Sequence, residues 1–417
     1  MVPLSQRSAG GRFLLDPLEP VHLCGPLPQT PMKSAALVLA TLPLLLASGP
    51  PQDMPADEPK QVEPSQDGHQ SDGFPSLEEG YGTQDPEPST PDYGERADEQ
   101  PIYADGWPVW RHDGVLPAGL AHGSLVDTGQ FGLELRYSQT SWKGMRDGRK
   151  DRSSQYLFDA GYSIAGTELK ENRLELDFLY GLDPRWILYA TLPIIERELS
   201  YDMAAGGSRR EESSGLGDIM LGGRYSARAD DQHQLQYTIG IGLPTGDYDQ
   251  RGSYAGNSNV LLPYALQLGT GTVDVYPGIT YLRLHEEWTL GARGEARLHI
   301  GRNSDHWAVS DSLEASVWAS KTLNESFTSD VRLQANWWGD YHGTAPGFDR
   351  VRSPLEDSSR QGGSLVQLVF GLAADLSNSY AGSNRLGIEV GVPIDEWVDG
   401  PGFSRETSLL ISWRLGL

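Results

Sequence analysis

From Gln234 to Leu243 the chain alternates without a fault, with Leu235, Tyr237, Ile239, Ile241 and Leu243 interleaved with Gln234, Gln236, Thr238, Gly240 and Gly242. Successive side chains of a strand point to opposite faces, so this segment makes a sheet strand with one apolar and one polar face. Phe131 to Ser138 and Leu174 to Gly181 repeat the pattern. Similar segments at 186–198, 214–228, 259–269, 272–284, 288–300, 311–321, 326–338, 363–374, 383–393 and 404–417 bring the predicted strands to thirteen. Many exceed the roughly 5–6 residues of an average soluble strand.

Beyond the amino-terminal region no run of about 20 apolar residues occurs, which excludes a spanning helix there. Strands of ~9–11 residues with one polar face can still cross a membrane once they close into a barrel, where every backbone group is paired. The mean hydropathy of −0.43 is compatible with that. Tyr180, Trp186, Tyr225, Trp288, Trp337, Trp338 and Trp413 gather toward strand ends, as an interfacial girdle requires. The last strand, SLLISWRLGL from Ser408 to Leu417, resembles the closing strand and assembly signal of bacterial outer-membrane barrels, although Leu417 stands where an aromatic residue is usual. Single-chain bacterial barrels have even strand counts, so thirteen needs adjusting. Gln155 to Ile164 is the candidate for a missed strand, and Leu284 to Trp288 for a false split. The expected fold is all-β, an antiparallel transmembrane β-barrel of 12–14 strands with a disordered N-terminal segment.

The domain plan follows from composition. MKSAALVLATLPLLLASG, from Met32, has a basic start, an apolar core and small residues at its end, the layout of a secretory signal peptide over 32–49. Residues 1–31, which hold the lone Cys24, are expected to be an upstream extension from an early start codon. Residues 50–105 are rich in Pro, Asp, Glu, Gln, Ser and Gly and too poor in large apolar side chains to offset ordering, so a disordered acidic tether is expected. Residues 106–417 would form the barrel. A net charge of −24 argues against a nucleic-acid partner.

If the apolar faces meet lipid, the inward set comprises Glu134, Arg136, Glu175, Asp177, Asp218, Arg224, Arg293, Glu295, Arg297, Glu314, Asp330, Arg332, Glu389 and Arg414. These residues are the expected lumen lining. Charges of both signs in near balance either brace a sealed interior or line an aqueous path. Asp183 to Arg185, Ala229 to Gln232 and Gly269 to Gly271 suit short periplasmic turns. Polar stretches near 139–170, 199–213, 245–258 and 340–362 suit external loops.

No catalytic set stands out. His122 and Ser124 have no evident orienting group, and His299 shares a predicted face with Arg293, Glu295 and Arg297. Asp247 and Asp249 fall short of the oxygen ligands calcium takes, and neither a phosphate loop nor a Cys/His cluster is found. The sequence therefore implies no enzyme, cofactor or metal.

GLGDIMLGGRY from Gly215, GIGLPTGDYD from Gly240, LGTGTVDVYPGITYL from Leu268 and RYSQTSWKGMRDGRKDRSS from Arg136 resemble the outer-membrane transporters grouped as the meta-pathway of phenol degradation family. The resemblance covers about residues 110–417. It implies residence in the bacterial outer membrane and passage of small solutes, hydrophobic or aromatic ones among them. Outer-membrane lipid, a small-molecule solute and, through the last strand, the barrel-assembly machinery are the expected partners. Some relatives carry Met- and His-rich segments near the first strands. Here only His112, His122 and Met145 stand in that region, so no metal role is carried over. A sealed structural or envelope-interaction barrel is the alternative reading.

Overall fold

The computed structural model describes Trp107 and residues 111–123, 126–376 and 384–416. The expected extension at 1–31, signal at 32–49 and tether at 50–105 lie outside the described residues.

Alternation is resolved with the polar side inward. Along β7 (His233–Leu243), Gln234, Gln236 and Thr238 are buried while Tyr237, Ile239 and Ile241 are exposed. The same inversion puts Phe178, Leu221, Ile279, Val317, Leu333, Phe370 and Val390 on the outer surface. An exposed apolar belt of this size is what lipid solvates, so the strands form an outer-membrane β-barrel.

The wall consists of β1 (Phe131–Gly148), β3 (Ile164–Gly181), β4 (Trp186–Met203), β6 (Ile219–Ala229), β7, β10 (Val273–Leu284), β11 (Thr289–Ile300), β12 (Ser312–Thr322), β13 (Phe327–Trp338), β14 (Gly363–Asp375) and β15 (Asn384–Gly416). These eleven segments pair in that order, and β15 pairs back to β1 to close the ring. β15 holds two adjacent strands. Its first half pairs with β14 and its second with β1. Across the reversal at Gly400–Pro401, Arg405 N donates to the Glu396 carboxylate (2.9 Å) and Trp413 Nε1 to Asn384 Oδ1 (3.0 Å). Eleven segments with the last one doubled give twelve strands among the described residues. β5 (Ser208–Leu216) continues β6 beyond a break at Gly217–Asp218, both pairing with β4. β2 (Lys150–Arg152) is a short addition to β1.

Three local expectations are corrected. The segment 259–269 is not a wall strand: β9 (Asn257–Leu261) forms a hairpin with β8 (Arg251–Tyr254), and a 3-10 turn follows at Tyr264–Leu266. Its apolar residues are buried among loops instead of facing lipid, and Gly269–Gly271 therefore belongs to this loop and not to a periplasmic turn. Gln155 to Ile164 is no strand either. Ser153 Oγ accepts from Tyr156 N (3.2 Å) and caps helix α1 (Ser154–Asp159). Leu284 to Trp288 is a true turn, with His285 N bonded to Trp288 O (2.8 Å). In addition, β1, β3 and β4 run far into the stretches expected as loops at 139–170 and 199–213. Beyond the lipid both strand faces are wet, so the apolar alternation that marks a strand disappears.

Short turns lie at one end of the barrel and long loops at the other, which sets the periplasmic and external ends. Aromatic pairs mark the periplasmic rim, Phe131–Tyr180 and Trp186–Tyr225 both at 4.9 Å between centroids. Inside that end, Trp318 lies flat across Gly291, where an added Cβ would come within 2.1 Å of the indole. Gly291→Val should displace Trp318 and cost about 1–3 kcal/mol. The denaturant midpoint of the refolded barrel checks this, and an unchanged midpoint would show that the indole has room to move.

Candidate functional site

The segment 111–123 contacts strands all round the ring, which is possible only from within. Arg385 Nη1 donates to His112 O (2.9 Å), Arg293 Nη1 to Ala121 O (3.0 Å), and Arg224 to His122 O. Arg414 reaches three carbonyls, Leu116 O (2.6 Å), Pro117 O (2.9 Å) and Leu120 O (3.2 Å). Gly119 N donates to Glu389 (2.7 Å), and Thr289 Oγ1 to Asp113 (2.9 Å). The His122 ring stacks on Tyr189 at 3.6 Å with Nε2 3.0 Å from Thr191 Oγ1. Trp107, Val115, Leu116 and Leu120 pack with Leu282, Leu284 and Trp318 near the periplasmic turns. The segment is a plug, held largely through its own backbone oxygens by guanidiniums of the wall.

Those guanidiniums are braced by carboxylates. Arg414 Nε pairs with Glu134 at 3.0 Å, Arg136 with Glu175 (2.9 Å) and Asp177 (3.0 Å), and Arg332 with Glu389 (2.6 Å). Arg293 pairs with Glu295 (2.5 Å) and Arg297 with Asp274 (2.6 Å). Glu314 accepts from Gln334 Nε2 (2.7 Å). Asp330 is buried in a space that only a glycine at 371 leaves open, since a Cβ there would meet its carboxylate at 2.2 Å. Asp218 works at the β5–β6 break: it accepts from Gly246 N (3.0 Å) and from Thr270 N and Oγ1 (2.9 Å each), pinning the base of the 244–272 loop.

Above the plug the lumen opens into a cavity of about 730 Å³, continuous in its lining with a second of about 390 Å³. Gly119 lies at the floor of both, and Glu171, Arg173, Arg197, Tyr276, Arg297 and Arg405 stand among the walls. The roof is aromatic. Tyr264 meets Trp307 (4.9 Å), Tyr341 (5.1 Å) and Phe348 (4.7 Å), which brings together the loops 244–272, 301–311 and 339–362. Burial pushes the Tyr264 phenol up to about 12, so it stays neutral while its oxygen accepts from Ala345 N (3.1 Å). Among the described residues, no group of three His, Cys, Asp or Glu side chains is placed to hold a metal.

Glu171, Arg173, Arg197, Asp274, Arg385 and Arg405 were not in the predicted lining. Glu171 and Arg173 lie in β3 ahead of its apolar alternation, and Arg405 lies beyond the register shift between Thr140↔Ser408 and Trp142↔Arg405, which puts it out of phase with the rest of the last strand. Asp274 was legible, since it alternates with Val273 and Val275.

A family profile described as "MetA-pathway of phenol degradation" matches residues 158–379, more than half of the chain. No curated protein sequence matches. Among solved structures, an outer membrane channel from Pseudomonas putida F1 aligns with a TM-score of 0.50 at 16% identity, over 72% of this chain and 99% of that one. A FadL homologue from Pseudomonas aeruginosa aligns at 0.34 and 9% identity, over 73% and 95%. The first supports the fold.

Proposed function

The chain belongs to the family described as "MetA-pathway of phenol degradation", and from that premise we propose that it is an outer-membrane channel passing small solutes, hydrophobic or aromatic ones among them. The observation that carries this reading is the cavity of about 730 Å³ between plug and roof, where polar wall groups alternate with Trp142, Tyr276, Trp338 and Phe403. Pockets of roughly 300–1,000 Å³ with mixed apolar and polar linings accommodate small ligands. Solvated charges of both signs would let water and solute share the path, while the aromatic faces would hold an apolar part. The lumen-lining role of the fourteen charged residues belongs to the same proposal, as do export through the signal at 32–49, a disordered tether over 50–105 and assembly through the last strand. Nothing in the proposal requires bond-making chemistry.

A sealed envelope barrel is the second reading, and the plug favours it: a backbone segment clasped by Arg224, Arg293, Arg385 and Arg414 closes the periplasmic half. Planar-bilayer conductance of the full protein, folded in detergent, separates the two. Stepwise conductance is expected for the channel. A folded barrel that stays electrically silent would favour the sealed reading.

A further inference from the structure

Arg405 stands apart from the other guanidiniums around the cavity. Arg173, Arg197, Arg297, Arg332 and Arg360 each have a carboxylate within 4 Å, at 3.0, 2.7, 2.6, 2.6 and 3.5 Å. Among the described residues Arg405 has none, and its buried Nε lacks a hydrogen-bond partner. Its guanidinium instead lies over the Trp142 ring, 4.7 Å from the centroid, and both side chains line the cavity. The two are cross-strand partners at the β1–β15 seam.

The carboxylates nearby are already engaged. Glu171 is held by Arg173 (3.0 Å) and Arg197 (2.7 Å), and Glu396 by Arg146 (2.9 Å) and Ser404 Oγ (2.9 Å). Glu314 lies across Asn336, Leu365 and Glu396 in successive registers, so it is four strand steps from Arg405. At ~4.8 Å per step that is about 19 Å along the wall. A guanidinium whose stem is fixed on an indole, and whose fork has no anion, is preorganised to take one bidentately. Phe403, Leu169 and Leu410 line the cavity close to it in sequence and register, and so supply an apolar wall for a ring. Phe403 can lie inward because Gly166 leaves room for its ring, where a Cβ would come within 2.5 Å.

We propose that Arg405 and Trp142 form a lumenal binding site for small aromatic carboxylates, the carboxylate on the Arg405 fork and the ring against Phe403 and its apolar neighbours. The inference rests on the channel reading for the solute's access, and it narrows the solute class from apolar molecules in general to aromatic anions. Neutral hydrocarbons would leave the guanidinium without its anion. Aliphatic carboxylates would leave the aromatic wall without its ring.

The test uses the full protein in detergent, with benzoate as probe and titration followed by calorimetry and tryptophan fluorescence. Benzoate should bind saturably, with benzyl alcohol and acetate each at least tenfold weaker. Arg405→Gln should lower benzoate affinity at least tenfold and leave benzyl alcohol within twofold. Trp142→Leu should weaken benzoate and shift its salt dependence, because the guanidinium loses its support. Equal affinity for benzoate and benzyl alcohol, no benzoate binding, or unchanged binding by Arg405→Gln would overturn the site. Should Arg405→Gln not fold, the ligand comparison on the unaltered protein still decides. Conductance measured in parallel keeps the two readings apart. Benzoate binding by a silent barrel overturns the channel and keeps the site, while conductance without benzoate binding does the reverse.

Discussion

Deleting residues 107–123 is expected to leave a folded barrel whose single-channel conductance exceeds that of the full protein several-fold. The wall closes on its own ladders, and the β1–β15 seam runs from Gly132↔Gly416 to Gly148↔Val398 with no contribution from the plug. What the deletion removes is the floor of the cavity and the packing of Val115, Leu116 and Leu120 on Trp318. The wall guanidiniums then turn from carbonyls to water. A charge costs several kcal/mol only while it is kept dry, so hydration relieves much of the penalty that the lost hydrogen bonds would impose. Arg293 keeps Glu295, Arg332 keeps Glu389 and Arg414 keeps Glu134, so the lower lumen stays braced. Exposing Arg224 and Arg385 should also move ion preference toward anions. Heat-modifiable migration reports the fold and planar-bilayer recording the conductance. If the deleted protein folds and conducts no better, the narrowest point is the roof around Tyr264 and Trp307, and the plug is not the barrier.

How far the sequence reaches depends on what solvates each residue. Within the lipid zone a side chain faces either hydrocarbon or lumen, and the difference is large enough to write itself into the pattern. Tyr237, Ile239 and Ile241 against Gln236, Thr238 and Gly240 can be read directly, and inward charges such as Glu134, Asp177 and Arg332 follow from the same rule. Beyond the lipid that contrast is lost, and the first residues of β3, from Ile164 to Arg173, carry no apolar period although all but Thr167 are paired with β4. The opposite error arises at 259–269, where Leu261, Leu262, Tyr264 and Leu266 look like half a lipid face because they are buried, but they are buried under the loops. Which arginine meets which carboxylate is set by register between strands far apart in sequence, as Arg414 and Glu134 illustrate, and no local pattern encodes it. The plug is the least legible element. It is held through backbone carbonyls, which every residue carries, so the recognition leaves almost no trace in its side chains.

Arg414→Met should have the largest effect of any single substitution in the lumen, and the form of that effect tests whether the plug is a separable part. Met matches the length of the stem but has no donor, so Glu134 loses its 3.0 Å partner and the carbonyls of Leu116, Pro117 and Leu120 lose theirs. Removing one member of a buried pair costs about 3–5 kcal/mol because the remaining charge is left dry. Arg136 stands 3.8 Å from Glu134 and recovers part of it. If the plug is firmly integrated, the whole cost falls on the barrel and the unfolding midpoint drops accordingly. If it undocks, water reaches Glu134 and the loss is limited to the free energy of docking. Conductance would then rise toward that of the 107–123 deletion, and the amino-terminal segment would become open to protease. The same substitution in the deleted protein discriminates further, since residues that share partners are not additive. There Arg414→Met should cost much less than in the full protein, because the three carbonyls are gone and Glu134 is already wet. Equal losses in the two backgrounds would mean that Arg414 serves the wall alone, and that its contacts to the plug contribute little to holding it.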